Sequence, residues 1–72
     1  MPPVLATING VVLKVAVAPG DRVAPGDELV VVESMKMEIP VVAEATGRVE
    51  AVLCAEGETV REGEPLLLIG GA

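Results

Sequence analysis

The sequence predicts an all-β sandwich whose two halves are related by an internal twofold. Short runs of aliphatic, largely β-branched residues alternate with turns rich in glycine and proline, and no stretch has helical spacing. The series of turns in the first half of the chain occurs again in the second half. Because neither half can bury its apolar face alone, the two should pack together as similar sheets.

The first half of the chain alternates strands with two copies of one turn. These turns, at residues 18–21 and 24–27, each combine a proline that fixes φ with a permissive glycine. Between them there is room for only a stub of strand, and Asn9-Gly10 is a further turn signal. The predicted strands of this half are residues 4–8, 11–17, 22–23 and 29–32.

A shift of 37 residues places the first half on the second, so that residue 10 meets residue 47. The shift matches the acids Asp21 and Asp27 with Glu58 and Glu64, and it predicts strands near residues 48–55, 60 and 66–69. Eight of the 23 positions from 10 to 32 are then identical: Gly10/Gly47, Val12/Val49, Val15/Val52, Ala18/Ala55, Gly20/Gly57, Val23/Val60, Gly26/Gly63 and Leu29/Leu66.

Length, composition and charge limit the classes of function. Residues 1–72 should form one domain whose hydrophobic content, 51% without any aromatic residue, fills a thin core but offers no ring for base stacking. Five basic and eleven acidic residues give a net charge of −6, which disfavours nucleic acid and anionic membranes as partners. No secretory signal or long apolar run is present, so we expect a soluble, cytoplasmic protein.

Cysteine and histidine content excludes other chemistry. Cys54 is the only cysteine and there is no histidine, so an internal disulfide, the usual zinc clusters and a cysteine-histidine nucleophile pair are excluded, and no metal site is predicted. Cys54 aligns with Val17 under the shift, which favours a small buried hydrophobe over a reactive thiol.

The two halves join at a charged segment, residues 33–38, between the apolar runs 29–32 and 39–42. The simplest connection is a tight hairpin with Lys36 at its turn. Two-residue hairpin turns need positive φ and favour Asn-Gly or Asp-Gly, whereas this turn must be made from Met and Lys. A tip that departs from the favoured turn residues is a candidate functional site. Pro40, which lacks an amide donor, predicts an edge or bulged position just beyond it.

Four motifs resemble those of biotinyl domains and together cover nearly the whole chain. The resemblance implies a flattened β-barrel, or barrel-sandwich hybrid, of two four-stranded antiparallel sheets. It also implies that biotin is the covalent cofactor and that a biotin protein ligase joins it to the amine of Lys36. The motifs are Gly-Asp-x-Val-x-x-Gly-Asp at 20–27, Glu-Ser-Met-Lys-Met-Glu at 33–38, Gly-x-Val-x-x-Val at 47–52 and Glu-Gly-Glu-x-Val at 56–60.

The same resemblance implies a biotin carboxyl carrier rather than an enzyme. A biotin carboxylase would load CO2 onto the carrier and a carboxyltransferase would pass it to an acyl-CoA or keto acid, so the chain itself needs no catalytic residue. We expect a monomer that docks transiently. The chain looks most like small stand-alone biotin/lipoyl attachment proteins, because it lacks a Pro/Ala-rich linker and a thumb insertion, although Ser34 stands where many relatives have alanine.

The residues beside Lys36 have two interpretations. Met35 and Met37 either pack on neighbours as adaptable apolar groups or, as strand alternation near the tip favours, belong with Lys36 to the cofactor-binding group. Glu33, Ser34 and Glu38 form a predicted recognition rim; alternatively, the two glutamates keep this edge from pairing with other chains.

Two other classes of function stay open. A lipoyl carrier of a 2-oxo acid dehydrogenase or glycine cleavage system would share the fold, but such domains typically resemble Asp-Lys-Ala at the tip, and this chain has Met-Lys-Met. An unmodified barrel-sandwich adaptor, as in membrane-fusion proteins, is disfavoured by the absent signal, the absent coiled coil and the well-formed tip.

Overall fold

The computed structural model describes residues 3–71 as eight strands in two antiparallel sheets. This part of the chain contains no helix, and therefore none that is long and apolar enough to cross a membrane. The strands are β1 (Pro3–Leu5), β2 (Gly10–Val15), β3 (Arg22–Val23), β4 (Glu28–Ser34), β5 (Met37–Val42), β6 (Gly47–Val52), β7 (Thr59–Val60) and β8 (Pro65–Gly70).

The two sheets confirm the predicted all-β fold and its internal twofold. One sheet has the strand order β1-β8-β6-β3 and the other has the order β5-β4-β2-β7. Strands at the same position in the two orders are related by the shift of 37 residues. The bounds of β2 and β6, and of β3 and β7, match residue for residue under the shift. No strand pairs across the two sheets, so the fold is an open sandwich rather than a closed barrel.

Hydrogen bonds exchanged between the halves hold the sandwich together. The Gly20 N–H donates to the Val49 carbonyl at 2.8 Å, and the related Gly57 N–H donates to the Val12 carbonyl at 2.7 Å. Each half therefore anchors its turns on the strands of the other, and neither half can satisfy its backbone groups alone. In a second related pair of hydrogen bonds, the Gly26 N–H donates to the Ala43 carbonyl and the Gly63 N–H donates to the Ala6 carbonyl.

The core is aliphatic and repeats the same symmetry. Leu29 and Leu66 are fully buried, and no buried polar or charged side chain occurs within residues 3–71. Cys54 is also buried in this core, as its alignment with Val17 predicted. Other related pairs in the core are Ala6/Ala43, Val12/Val49, Val23/Val60 and Val30/Leu67.

Several predicted strands were too long at their C-terminal ends. β1 ends at Leu5 rather than at residue 8, and β2 and β6 end at Val15 and Val52 rather than at 17 and 55. The reason is geometric, because the chain must leave each strand and cross to the other sheet. Residues 16–21 make this crossing, and Ala16 keeps only one bond to the sheet that it leaves, from its N–H to the Leu29 carbonyl at 2.9 Å.

The glycine spacing that is repeated in the two halves has two physical causes. Positive φ angles of 96°, 91°, 88° and 90° occur at Gly20, Gly26, Gly57 and Gly63, which lie in the turns predicted at 18–21 and 24–27 and in their counterparts in the second half. The same repeated spacing predicts turn glycines with positive φ at Gly10 and Gly47 as well, and this prediction is wrong, because both residues begin strands without positive φ. At Gly47 a Cβ atom would overlap the Gly70 carbonyl and the Ile69 side chain, so close packing requires glycine there.

Replacing Gly47 with alanine should therefore destabilise the fold by about 1–3 kcal/mol, because a methyl group is forced against backbone and core. Urea denaturation measures the change in the free energy of unfolding. Gly71→Ala is the matched control, since nothing lies within 4 Å of the position its Cβ would take. Equal stability of the two variants would contradict the close approach at Gly47.

The strand order places the chain ends away from the hairpin between β4 and β5. β1 begins beside the end of β8, with Pro3 paired to Leu68. β5 ends far from residues 35–36, and the link 43–46 connects this end to Gly47 at the start of β6. β6 pairs there with the end of β8, because its second residue, Arg48, lies opposite Gly70. The described ends of the chain thus lie at one end of the molecule, and residues 35–36 protrude at the other.

Candidate functional site

The candidate site is the turn between β4 and β5, which confirms the predicted tight hairpin. Ser34 pairs with Met37, and the two residues between them, Met35 and Lys36, form the turn. Their φ angles are 52° and 65°. Two consecutive positive φ angles define the hairpin turn whose twist matches that of the strands, and Asn-Gly and Asp-Gly are its favoured sequences.

This turn is conformationally strained. Met35 and Lys36 are the only non-glycine residues with positive φ in the described chain, and such a conformation costs an L-residue roughly 1–2 kcal/mol. The strand that leads into the turn holds it in place. β4 is paired on both sides, to β2 and to β5, and its Val30 and Val32 side chains are fully buried.

Replacing Met35 with asparagine should stabilise the protein by about 1 kcal/mol, because asparagine adopts positive φ more readily than methionine. Thermal or urea denaturation measures this gain. Met37→Asn is the control, since Met37 lies in β5 without positive φ and its replacement should bring no gain. A Met35→Asn variant no more stable than Met37→Asn would contradict the strain assigned to this turn.

The side chains around the turn project into solvent. Met35 is 91% exposed and Met37 is 62% exposed, so neither packs on the core, and Lys36 is exposed as well. Within residues 3–71 no carboxylate lies within salt-bridge distance of the Lys36 amine, since the one ion pair there joins Lys14 to Glu28. The tip therefore presents an accessible amine between two accessible thioethers.

The predicted rim residues lie directly below the turn. Glu33 on β4 pairs with Glu38 on β5, and Ser34, half-buried, lies one residue nearer the tip. Like charges placed opposite each other destabilise a sheet, so this arrangement is not explained by stability. The alternative of edge protection applies to Glu38 alone, because β4 is an inner strand and only β5 lies at an edge. A two-residue turn at 35–36 places Glu33 opposite Glu38, so this pairing could have been predicted from the positions of the two residues in the sequence.

Two further predictions can be placed. Pro40 lies on the edge strand β5, opposite Val31, as its missing amide donor predicted. Burial raises the pKa of the Cys54 thiol, and the nearby Glu58 carboxylate raises it further, so the thiol stays protonated and unreactive at neutral pH. Within residues 3–71 no three His, Cys, Asp or Glu side chains are grouped so as to hold a metal ion.

A protein-family model described as "Biotin-requiring enzyme" matches residues 1–69. The chain belongs to the biotin/lipoyl attachment family. The expected resemblance is thereby confirmed, and Met-Lys-Met lies at the tip of a biotin/lipoyl fold.

Relatives of this biotin/lipoyl chain include both small proteins and parts of large ones. It is 44% identical over 66 residues to the biotinylated protein TB7.3 homolog of Mycobacterium leprae, covering 92% of this chain and 93% of that protein. It is 50% identical over 54 residues to the biotin/lipoyl attachment protein of Bacillus subtilis, covering 75% of this chain and 74% of the relative. Identity to the propionyl-CoA carboxylase alpha chain of Sus scrofa is 50% over 58 residues, 81% of this chain but only 8% of that one.

Solved structures show the same fold. A single-chain, multi-domain long-chain acyl-CoA carboxylase matches with a TM-score of 0.93 at 34% identity, over 99% of this chain and 7% of that one. The lipoyl domain of the 2-oxoglutarate dehydrogenase complex of Azotobacter vinelandii matches with a TM-score of 0.72 at 35% identity, over 88% of this chain and 82% of that domain. The biotin/lipoyl family thus shares one architecture between two cofactors.

Proposed function

We propose that this chain is a biotin carrier and that Lys36 is the residue to which biotin is attached. The observation that carries the proposal is an exposed lysine at a protruding, strained two-residue turn, flanked by Met35 and Met37, in a member of the biotin/lipoyl family. Among the relatives are a biotin carboxyl carrier protein of Streptococcus mutans, 41% identical over 64 residues, and the biotinylated protein of M. leprae.

The residues at the tip fit a bulky acyl group. The Lys36 amine is not occupied by a carboxylate of the described chain, and no core packing has to be broken to reach it. Lys36 would hold biotin through an amide bond: its nitrogen would displace the leaving group of an activated biotin carboxyl carbon, and the ligase would take up the proton that the amine releases. The amide is uncharged, so the net charge of the chain moves from 5 − 11 = −6 to 4 − 11 = −7.

A rigid turn favours recognition by the ligase. Because Met35 and Lys36 are already held in an uncommon conformation, the ligase can recognise shape and need not order a flexible peptide. In this proposal Met35 and Met37 contact the ligase and the attached group, and Glu33, Ser34 and Glu38 form the rim around them.

The chain then acts as a tether and not as an enzyme. When bound, biotin supplies a nitrogen that accepts and releases a carboxyl group, and the partner enzymes, a biotin carboxylase and a carboxyltransferase, perform those steps. This chain supplies covalent attachment, which gives the cofactor a high effective concentration at both sites. Several relatives are parts of carboxylases named for propionyl-CoA, other acyl-CoA or urea, which supports a carboxylase as the parent system.

A lipoyl carrier is the second candidate, supported by the lipoyl domain of A. vinelandii. Sequence identity does not separate the two, since it is 34% for the acyl-CoA carboxylase and 35% for the lipoyl domain. The TM-scores of 0.93 and 0.72 favour the biotinyl geometry, as does Met-Lys-Met at the tip.

Intact-mass measurement of the protein purified from its own host tests the proposal. We expect a mass increased by one biotinyl group, with the increase located on the peptide that contains Lys36. A lipoyl increment would establish the second candidate instead, and an unmodified mass in cells that biotinylate other proteins would refute both.

A further inference from the structure

Because of the internal duplication, a residue can be compared with the residue at the equivalent position of the other sheet. Where the two are alike, the shared fold accounts for both; where they differ, the fold alone does not require either. Arg22 on β3 lies directly opposite Arg48 on β6. The corresponding pair in the other sheet is Thr59 and Val11, on β7 and β2. Two arginines therefore occupy a position that the same architecture fills elsewhere with a hydroxyl and an aliphatic side chain.

The arginine pair takes part in no ion pair of the described residues, and the carboxyl group that lies closest on the same face of β6, that of Glu50, is placed against Gly70. Directly opposed residues of an antiparallel pair have Cβ atoms about 4.5–5.5 Å apart, so two cations there repel each other. Both side chains are exposed, and the ion pair between Lys14 and Glu28 is the one that residues 3–71 contain. The carboxylate nearest in sequence, Asp21, instead accepts a hydrogen bond from the Ala18 N–H at 2.9 Å.

The pair lies at the end of the molecule away from Lys36. Arg48 is paired on its other side with Gly70, at the described C-terminal end of β8, and Gly47 follows the short link from the far end of β5. The tip itself carries the opposite charge, with Glu33 facing Glu38. The chain thus has an acidic rim at the tip and a basic pair at the other end.

We propose that Arg22 and Arg48 form a docking point for a carboxylate-rich segment of a partner protein. Two planar guanidinium groups side by side offer bidentate hydrogen bonds to carboxylates. The pair lies on an open strand surface, which suits carboxylates spread along a segment better than one small anion that needs enclosing donors. The net charge of −6 opposes the approach of an acidic segment to the rest of the chain, so such a segment gains attraction only where it contacts these two guanidinium groups.

Docking at this end leaves Lys36 free while the carrier is held. The inference does not depend on biotin, because it concerns a surface that the unmodified chain already has. It can therefore be tested on the full, unmodified chain, and its failure would leave the assignment of Lys36 unaffected.

Nuclear magnetic resonance titration of the labelled chain with a capped hexaglutamate peptide at low salt tests the docking point. We expect saturable shifts of the amide resonances of Arg22, Gly47, Arg48 and Gly70, with an apparent affinity that falls as salt is added. The double variant Arg22→Thr, Arg48→Val should bind at least about tenfold more weakly. Its fold should be kept, because these residues already occupy the related positions in the other sheet, and its melting temperature should be no lower than that of the parent chain.

Arg61→Ser is the matched control, since it removes one exposed arginine from a turn remote from the pair. This variant should bind the peptide like the parent chain. Equal weakening by Arg61→Ser, or shifts that do not saturate, would overturn the proposal in favour of nonspecific contact with any exposed cation. Saturation of the same amides by inorganic phosphate at the same concentration would overturn it in favour of a phosphate site.

Discussion

Replacing Lys36 with alanine is expected to abolish attachment of biotin while the protein stays folded. The side chain is exposed and outside the core, so its loss removes the acceptor nitrogen without creating a cavity. Co-expression with a biotin protein ligase, followed by intact-mass analysis and circular dichroism, measures both effects. We expect no biotin to be attached to this variant, because no other group at the tip can form the amide.

The sequence provides a strict control, because Lys14 is its only other lysine. Lys14→Ala should retain full attachment, although it removes the ion pair to Glu28, which joins exposed side chains at 3.8 Å and contributes little to stability. Lys36→Arg, which keeps the positive charge, should fail as completely as alanine. Biotin retained in either Lys36 variant would refute the assignment.

Replacing Leu66 with alanine should destabilise the protein by about 2–5 kcal/mol, because a fully buried side chain is removed and a cavity remains. Domains have a stability of only about 0.05–0.15 kcal/mol per residue, so this loss is a large part of the total. Urea denaturation at constant temperature measures it. Leu29→Ala should have a similar effect, because Leu29 is the equally buried counterpart of Leu66.

Leu53→Ala is the matched control for the core variants. The side chain of Leu53 is 47% exposed, so its truncation should change the free energy of unfolding by about 0.5 kcal/mol or less. If Leu53→Ala and Leu66→Ala unfolded at the same urea concentration, the division of the chain into buried and exposed leucines would be wrong.

Local signals were sufficient to predict most of the architecture. Proline and glycine mark the turns at 18–21 and 24–27, and the shift of 37 residues predicts the same turns in the second half. Gly57 and Gly63 in those turns have the positive φ that such turns require. The hairpin at Lys36 followed from the two apolar runs around it. These features depend on residues close together in sequence, which is why sequence patterns predict them.

The features that were missed depend on which strands become neighbours. Gly47 was interpreted as a turn residue, yet its lack of a side chain is needed for the approach of Gly70, 23 positions later in the chain. The opposition of Arg22 and Arg48 likewise depends on the register between β3 and β6. No periodicity within either segment indicates such a pairing. The roles of Met35 and Met37 at the tip stay predictions.

The bonds exchanged between the halves also determine when, during synthesis, the turn at Lys36 can reach its native shape. Lys36 leaves the ribosome early, but β4, the strand that supports its turn, lies in a core that Leu66 and Leu67 on β8 complete. The nascent segment therefore cannot present its native turn until roughly the last strand has emerged. If a ligase that recognises this shape attaches biotin to Lys36, we expect attachment only after β8 has emerged from the ribosome and paired.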